Sequence, residues 1–182
     1  MVATNEIAAL PKTLAEFILW KPEDGLNKYE WNDGEIIKFT GMNKKQLYIY
    51  EALNNLFVEK GFWKIGTFVA KYDTMLSGIQ MRRPDVAYFT KEQVRNTKEG
   101  IDEIPAFVVE IISTNDKLYE VEKKITEYFK HGVKVVWNIL PDEKTVHVYT
   151  SRRDVKICFE DDTCSAAPVL PEFEISVSQI FD

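Results

Sequence analysis

Apolar residues recur along this chain with two periods, near 3.6 and near 2, and the switches between them mark its elements. Thr13 and Glu16 stand at capping-box spacing before Phe17-Ile18-Leu19-Trp20, which predicts a short helix. Residues 1–9 carry no strong pattern and read as a loose arm; 21–28, with Pro22 and Gly25, read as a loop. Asn32-Asp33-Gly34 is turn chemistry between strand-like runs, so a hairpin of 29–31 and 35–39 is expected, closed by Gly41. Asn43 can cap a helix running to about Glu59, with Leu47, Tyr50, Leu53, Leu56 and Phe57 as its buried stripe and Gly61 as its stop.

Beyond it the pattern predicts a strand over 62–72, a turn over 73–78, and a strand over 80–89. Residues 91–105 are polar and read as a loop with one helical turn. A strand follows over 106–112. The clearest helix spans 116–131, starting after Ser113-Thr114-Asn115 and stopping at Gly132. Then come a strand at 133–139, a turn at 141–144, its hairpin partner at 145–150, a sheet extension at 155–159, and a terminal helix at 177–181 capped by Ser176. No repeat, low-complexity tract or linker interrupts this order, so one α/β domain over 1–182 is expected.

Two of the apolar runs are broken by a carboxylate, Asp85 in RRPDVAYF and Glu110 in PAFVVEIIS. A charge inside a buried strand costs several kcal/mol unless it is paired, hydrated or bound to a metal. Alternation puts Val108, Glu110 and Ile112 on one face of their strand, and Arg83, Asp85 and Ala87 on one face of theirs. If the two strands are neighbours in register, Asp85 and Glu110 can converge on one cation. Magnesium suits such hard oxygen ligands and keeps waters that can become nucleophiles. The residues alone leave a second reading open, in which both carboxylates sit at strand ends and reach water.

Composition narrows the function classes. At 182 residues, 45% hydrophobic and 29% charged, the chain can bury a sizeable core. It has no membrane-length apolar run and no signal-peptide pattern, so a cytoplasmic protein is expected. Cys158 and Cys164 lack metal-site spacing and only two His occur, which argues against a zinc site or a disulfide scaffold. The net charge of −6, with local basic pairs such as Lys44-Lys45 and Arg82-Arg83, does not support tight, non-specific DNA binding.

The helix after the second carboxylate adds a cation. Leu118, Val121, Ile125, Tyr128 and Phe129 form its apolar stripe at 100° per residue. Lys123 falls almost opposite that stripe, in solvent, whereas Lys124 lies at its edge and can bend its stem towards the sheet. His131 at the helix end reads as structural, and His147, alternating with Val146 and Val148, as solvent-facing. The four tryptophans lie in or beside apolar runs and most read as core or interface. Tyr128 could hydrogen-bond within the site, although a tyrosine in a helix stripe is more often packing.

The ordered set Pro84-Asp85, Glu110 with Ser113, Lys124, Tyr128, Gly132-Val133 and Trp137 resembles the Uma-two family of restriction-endonuclease-like proteins, within the PD-(D/E)XK nuclease superfamily. The resemblance runs from about Tyr29 to Tyr149, and YEWNDGEII is similar to that family's opening hairpin. It implies an α/β (α+β) restriction-endonuclease-like core, a mixed central β-sheet flanked by helices. It also implies magnesium-dependent phosphodiester hydrolysis, with manganese as a substitute. Asp85 matches the aspartate of the PD motif and Glu110 its second acidic residue, both as metal ligands. Glu30 matches a position that is often acidic and would supply a further carboxylate.

Two positions depart from the family's pattern. The lysine that normally follows the glutamate by two positions is Ile112 here, and Lys124 is the candidate for a lysine displaced to the next helix. Many members carry a histidine where this chain has Asn43-Lys44-Lys45-Gln46. The expectation is therefore an endonuclease acting on DNA, working as a homodimer because two cuts need two sites. The alternative is a catalytically inactive nuclease-fold module that binds nucleic acid or protein.

Overall fold

The structure is a computed structural model that describes residues 10–22, 27–40, 44–114 and 116–182. The arm expected over 1–9, and the roles expected of Gly25, Gly41, Asn43 and Asn115, lie outside them. Thr13 caps α1 (Leu14–Leu19) as its spacing predicts, its hydroxyl accepting from the Glu16 N–H at 3.2 Å. The hairpin of β1 (Asn27–Asn32) and β2 (Glu35–Thr40) is longer than expected. Its tip, Asp33 and Gly34, has φ of 47° and 89°, the left-handed pair that matches strand twist in a two-residue turn.

In α2 (Lys44–Glu59) the buried line is Ile49, Leu53 and Phe57, with Tyr50 and Leu56 at its margin. Leu47, expected in that stripe, is 58% exposed, because it stands about 200° around the helix from Ile49. The strand expected over 62–72 is shorter: a 3-10 turn at Phe62–Lys64 precedes β3 (Gly66–Ala70). Where a turn was expected over 73–78, β4 (Thr74–Ser77) pairs with β5 (Gln80–Arg82). Thr74 and Leu76 alternate inward there, a signal too short to outweigh the flanking Asp73 and Gly78.

The strand expected over 80–89 is two strands. Pro84 has no N–H to offer a ladder, and at Arg83-Pro84-Asp85 the chain leaves β5 and enters β6 (Val86–Thr90) in a different sheet. The supposed loop then opens with α3 (Lys91–Lys98), held by a capping box between Thr90 and Gln93. β7 (Phe107–Ile111), α4 (Leu118–Lys130) and β8 (Val135–Leu140) form one crossover, followed by β9 (Thr145–Tyr149) and β10 (Val155–Phe159). Gly132, at φ 102°, ends α4 as expected. Residues 160–175 gave no prediction of an element; β11 (Thr163–Ala166) and β12 (Leu170–Ser176) lie there, before α5 (Val177–Phe181) with Ser176 as its cap, as expected.

The large sheet runs β10-β9-β8-β7-β6-β3, and only β7 and β8 are parallel. One face, with Phe107, Val109, Trp137 and Ile139, packs with α2, α5 and Phe173 of β12. On the other, Ala87, Val108 and Val136 pack with Ile125 and Tyr128 of α4. A second sheet, β2-β1-β5-β4, carries Trp31 and Met81 against Leu14 and Phe17 of α1. The fold is thus the mixed α/β sheet flanked by helices that was expected.

Candidate active site

The break at Pro84 places Asp85 at the head of β6. The ladder pairs Val86 with Val109 and Ala87 with Val108, so one step further Asp85 comes opposite Glu110. Both carboxylates therefore lie on adjacent strands and on the α4 face of the sheet, as alternation predicts. Asp85 prolongs the ladder with its side chain: Oδ2 accepts from the Ile111 N–H at 2.6 Å. Its Oδ1 pairs with the Lys71 ammonium and accepts from Gln46 Nε2 at 3.2 Å. Glu110 accepts from the Tyr128 hydroxyl through Oε1. With Glu30, Lys71, Lys124 and Asn138 the two carboxylates line a cavity of about 120 Å³.

Lys124 reaches this cavity from the second turn of α4, as its place at the edge of the stripe predicts. Its ammonium lies 3.1 Å from Glu30 Oε1 and 3.5 Å from Glu110 Oε2. Lys123 points elsewhere, but not into open solvent: it is half-buried and pairs with Glu35 of β2 at 3.2 Å. The small sheet covers that side of α4. Leu118, expected in the apolar stripe, is 75% exposed at the first residue of the helix.

The cover is ionic. Arg82, on β5, is fully buried and gives Nη1 to Glu30 Oε2 at 3.0 Å and Nη2 to Glu127 Oε2 at 2.6 Å. Glu30 also accepts the Arg83 N–H at 3.1 Å, so three donors hold its two oxygens. Sequence reading gave no role in the site to Arg82, Glu127, Lys71, Gln46 or Asn138. One available signal was Arg82 itself, a charge beside an apolar strand. Asn138 gave a second signal, an amide inside the apolar run Val135-Val136-Trp137-Asn138-Ile139, whereas Glu127, Lys71 and Gln46 sit where a polar residue is ordinary.

These contacts set the charges. Burial would raise the Glu30 carboxyl, but Lys124, Arg82 and the Arg83 N–H overcome it and hold the group below its ordinary range. For Glu110 burial wins: against Lys124, and helped by the charges of Asp85 and Glu30, it pushes the carboxyl up to about 7. Burial would lower Lys124, but Glu110 and Glu30 raise it above its usual value. Because ionised Glu30 lies 3.1 Å away, Lys124 stays cationic in either state of Glu110.

The donor set fits a hard divalent cation. Asp85 and Glu110 face each other, and one or two carboxylates with several waters is how magnesium is usually held. Among the described residues no three His, Cys, Asp or Glu form a ready cage, which is consistent with Glu30 already being committed to Arg82, Arg83 and Lys124. Ile112 is half-buried at the rim and supplies no charge. His131 takes a structural place, its Nδ1 2.8 Å from the Glu127 carbonyl. His147 is half-buried, with its pKa lowered by that burial. Trp31 and Trp137 are core residues, while Trp63 is exposed.

The fold is a mixed sheet flanked by helices, with Asp85 and Glu110 on adjacent strands and Lys124 reaching the same cavity from the crossover helix. The Uma2 family, described as "Putative restriction endonuclease", matches residues 14–178, and the chain belongs to that family. The fold is similar to that of "a putative nuclease belonging to DUF820 from Anabaena variabilis", with 24% identity and a TM-score of 0.77 over 94% of this chain and 98% of that one. No curated protein matches the sequence.

Proposed function

We propose that the protein is an endonuclease that hydrolyses phosphodiester bonds of DNA with magnesium, for which manganese substitutes. The observation that carries this reading is the meeting of Asp85, Glu110 and Lys124 in one cavity, from three separate elements. Asp85 and Glu110 would hold the ion, which when bound polarises a phosphate and lowers the pKa of a water. Lys124, kept cationic by Glu30, is placed to stabilise charge developing on the phosphate. Tyr128 fixes the Glu110 carboxylate, and Glu30 acts first by positioning Lys124; as a third ligand it would have to release a donor. Lys71 balances the charge of Asp85 in the metal-free protein. The reading includes a cytoplasmic homodimer. Edge strand β10 exposes Val155, Ile157 and Phe159, apolar surface that a second copy would bury.

The test is nicking of supercoiled plasmid with magnesium or manganese. Asp85→Ala and Lys124→Ala should each lower the rate by about a thousandfold or more while retaining the fold, given what electrostatic groups contribute to such steps. Two observations favour an inactive binding module: Ile112 stands at the usual lysine position, and Lys71 and Lys124 already pair with the carboxylates. Wild-type protein that binds DNA but cuts neither supercoiled nor single-stranded substrate with either metal would decide for that module. Sedimentation showing only monomer at micromolar concentration would remove the dimer.

A further inference from the structure

Across the large sheet, Asp85 on β6, Glu110 on β7 and Asn138 on β8 form one row. The ladder brings Asp85 opposite Glu110, and the parallel pairing sets Glu110 beside Asn138. In-register neighbours on paired strands share a face, with strands about 4.8 Å apart. Asn138 is thus the third side chain of the row, on the floor of the cavity that holds both carboxylates.

Asn138 is unusual in two respects. It is only 2% exposed, in a strand whose other buried members, Val135, Val136, Trp137 and Ile139, are all apolar. Its Oδ1 has no hydrogen-bond partner, and among the described residues it is the one buried side-chain polar atom so left. An amide oxygen buried without a donor is a cost that a leucine of nearly the same shape would avoid. Packing alone therefore gives no reason for an amide here. A carboxamide oxygen is a neutral acceptor, and it is matched by an incoming donor with hydrogens to spare. Beyond Glu110 in the row, Asn138 is one strand too far from Asp85 to share an ion directly with it, but at the right spacing for one water.

We propose that Asn138 is a positioning residue whose Oδ1 accepts a hydrogen bond from a water carried by the divalent cation at Asp85 and Glu110. This rests on the reading of those carboxylates as ion ligands. The amide orients that water and, through it, tightens the ion. Groups that hold metal-bound ligands in this way change affinity by about tenfold to a hundredfold when removed.

The experiment is calorimetric titration of the whole chain with manganese, alongside melting of the metal-free protein. Asn138→Leu should weaken manganese binding about tenfold while leaving the metal-free melting temperature unchanged or higher. Asn138→Asp, which keeps an acceptor oxygen, should bind manganese at least as tightly as wild type. A leucine variant that binds like wild type would overturn the inference, as would an aspartate variant as weak as the leucine one. Asp85→Ala separates the levels. If it leaves manganese binding unchanged, the carboxylate site itself is wrong. If it abolishes binding while Asn138→Leu has no effect, only the role of Asn138 falls.

Discussion

Helix α4 meets two different surroundings on its two sides. Towards the large sheet it presents Ile125 and the Tyr128 ring to Val108, Val136 and Ala87, a buried apolar contact. Towards the small sheet it presents Lys123, Lys124 and Glu127, which pair with Glu35, Glu30 and Arg82. Both sides are covered, yet by opposite chemistry. The apolar side is stabilised by removing surface from water, and its members can be exchanged for residues of like size. On the ionic side the buried charges, Arg82, Glu30 and Glu127, have paid desolvation, so they hold one another in place and none of these three can be removed cheaply. That difference assigns the two sides different work: the first fixes where the helix lies, and the second fixes where Lys124 points.

Removing Arg82 should break the ionic side most severely. Arg82→Ala leaves Glu30 and Glu127 buried without their shared cation, a loss of about 3–5 kcal/mol by the usual cost of orphaning a buried charge. Arg82→Met with Glu127→Leu should recover much of that, since Glu30 keeps Lys124 and the Arg83 N–H. Urea unfolding of both variants checks the point. A single variant that loses under 1 kcal/mol would mean that water already reaches the pair.

The next effect concerns Glu110, where the two sides meet. Its carboxyl is raised from 4.5 to about 7, so the metal-free fold favours the protonated form. The associated stability is fully present below pH 4.5 and is lost as pH rises through about 7. A cation needs the ionised form, so its binding should expel a proton below that pH. Between pH 7 and pH 6 the manganese affinity should fall by up to about tenfold. Calorimetry in two buffers of different ionisation enthalpy should find close to one proton released per ion at pH 6, and almost none at pH 8. Equal release at both would show that Glu110 is ionised throughout.

The same contrast explains what could be read from the chain beforehand. Apolar periodicity identifies its own partner, because an apolar stripe has to be buried somewhere; α4, β7 and β8 were legible for that reason. Turn chemistry gave the hairpin at Asn32-Asp33-Gly34, and alternation gave the shared face of Asp85 and Glu110. Ionic burial leaves no such trace. Glu127 lies nearly opposite the stripe and reads as solvated, until Arg82 from another sheet arrives above it. Lys71 was invisible because its place depends on where β3 ends; Asn138 interrupts an apolar run, but its place beside Glu110 depends on which strand lies next to β7. The split at Pro84 was readable in principle, since proline interrupts a ladder. Met81 before it and the apolar Val86-Ala87-Tyr88-Phe89 after it made the run look like one strand.

On the apolar side a small deletion should have a small and purely structural effect. Ile125→Val removes one methylene from the contact with the large sheet and should cost about 1 kcal/mol. Its cleavage rate, measured well below the melting temperature, should match wild type. A large loss of activity at that modest cost would mean that the apolar side also sets the direction of Lys124, and the division of work would fail.

The smallest effect should come from Lys123, which makes it the sharpest control. It is adjacent to Lys124, carries the same charge and also pairs with a glutamate of the small sheet. The resemblance ends with its partner: Glu35 is mostly exposed, whereas Glu30 is buried. Water and salt screen an exposed pair, which leaves at most about 0.5 kcal/mol for Lys123→Ala. Its ammonium has been drawn to the hairpin, away from the cavity, so nicking should stay within about twofold of wild type at low salt, the change reflecting only weaker attraction of phosphate. Lys124→Ala, one residue along, should abolish nicking. If both variants lose activity to the same mild degree, the ionic side is merely a basic surface, and the aim of Lys124 into the cavity has no catalytic meaning.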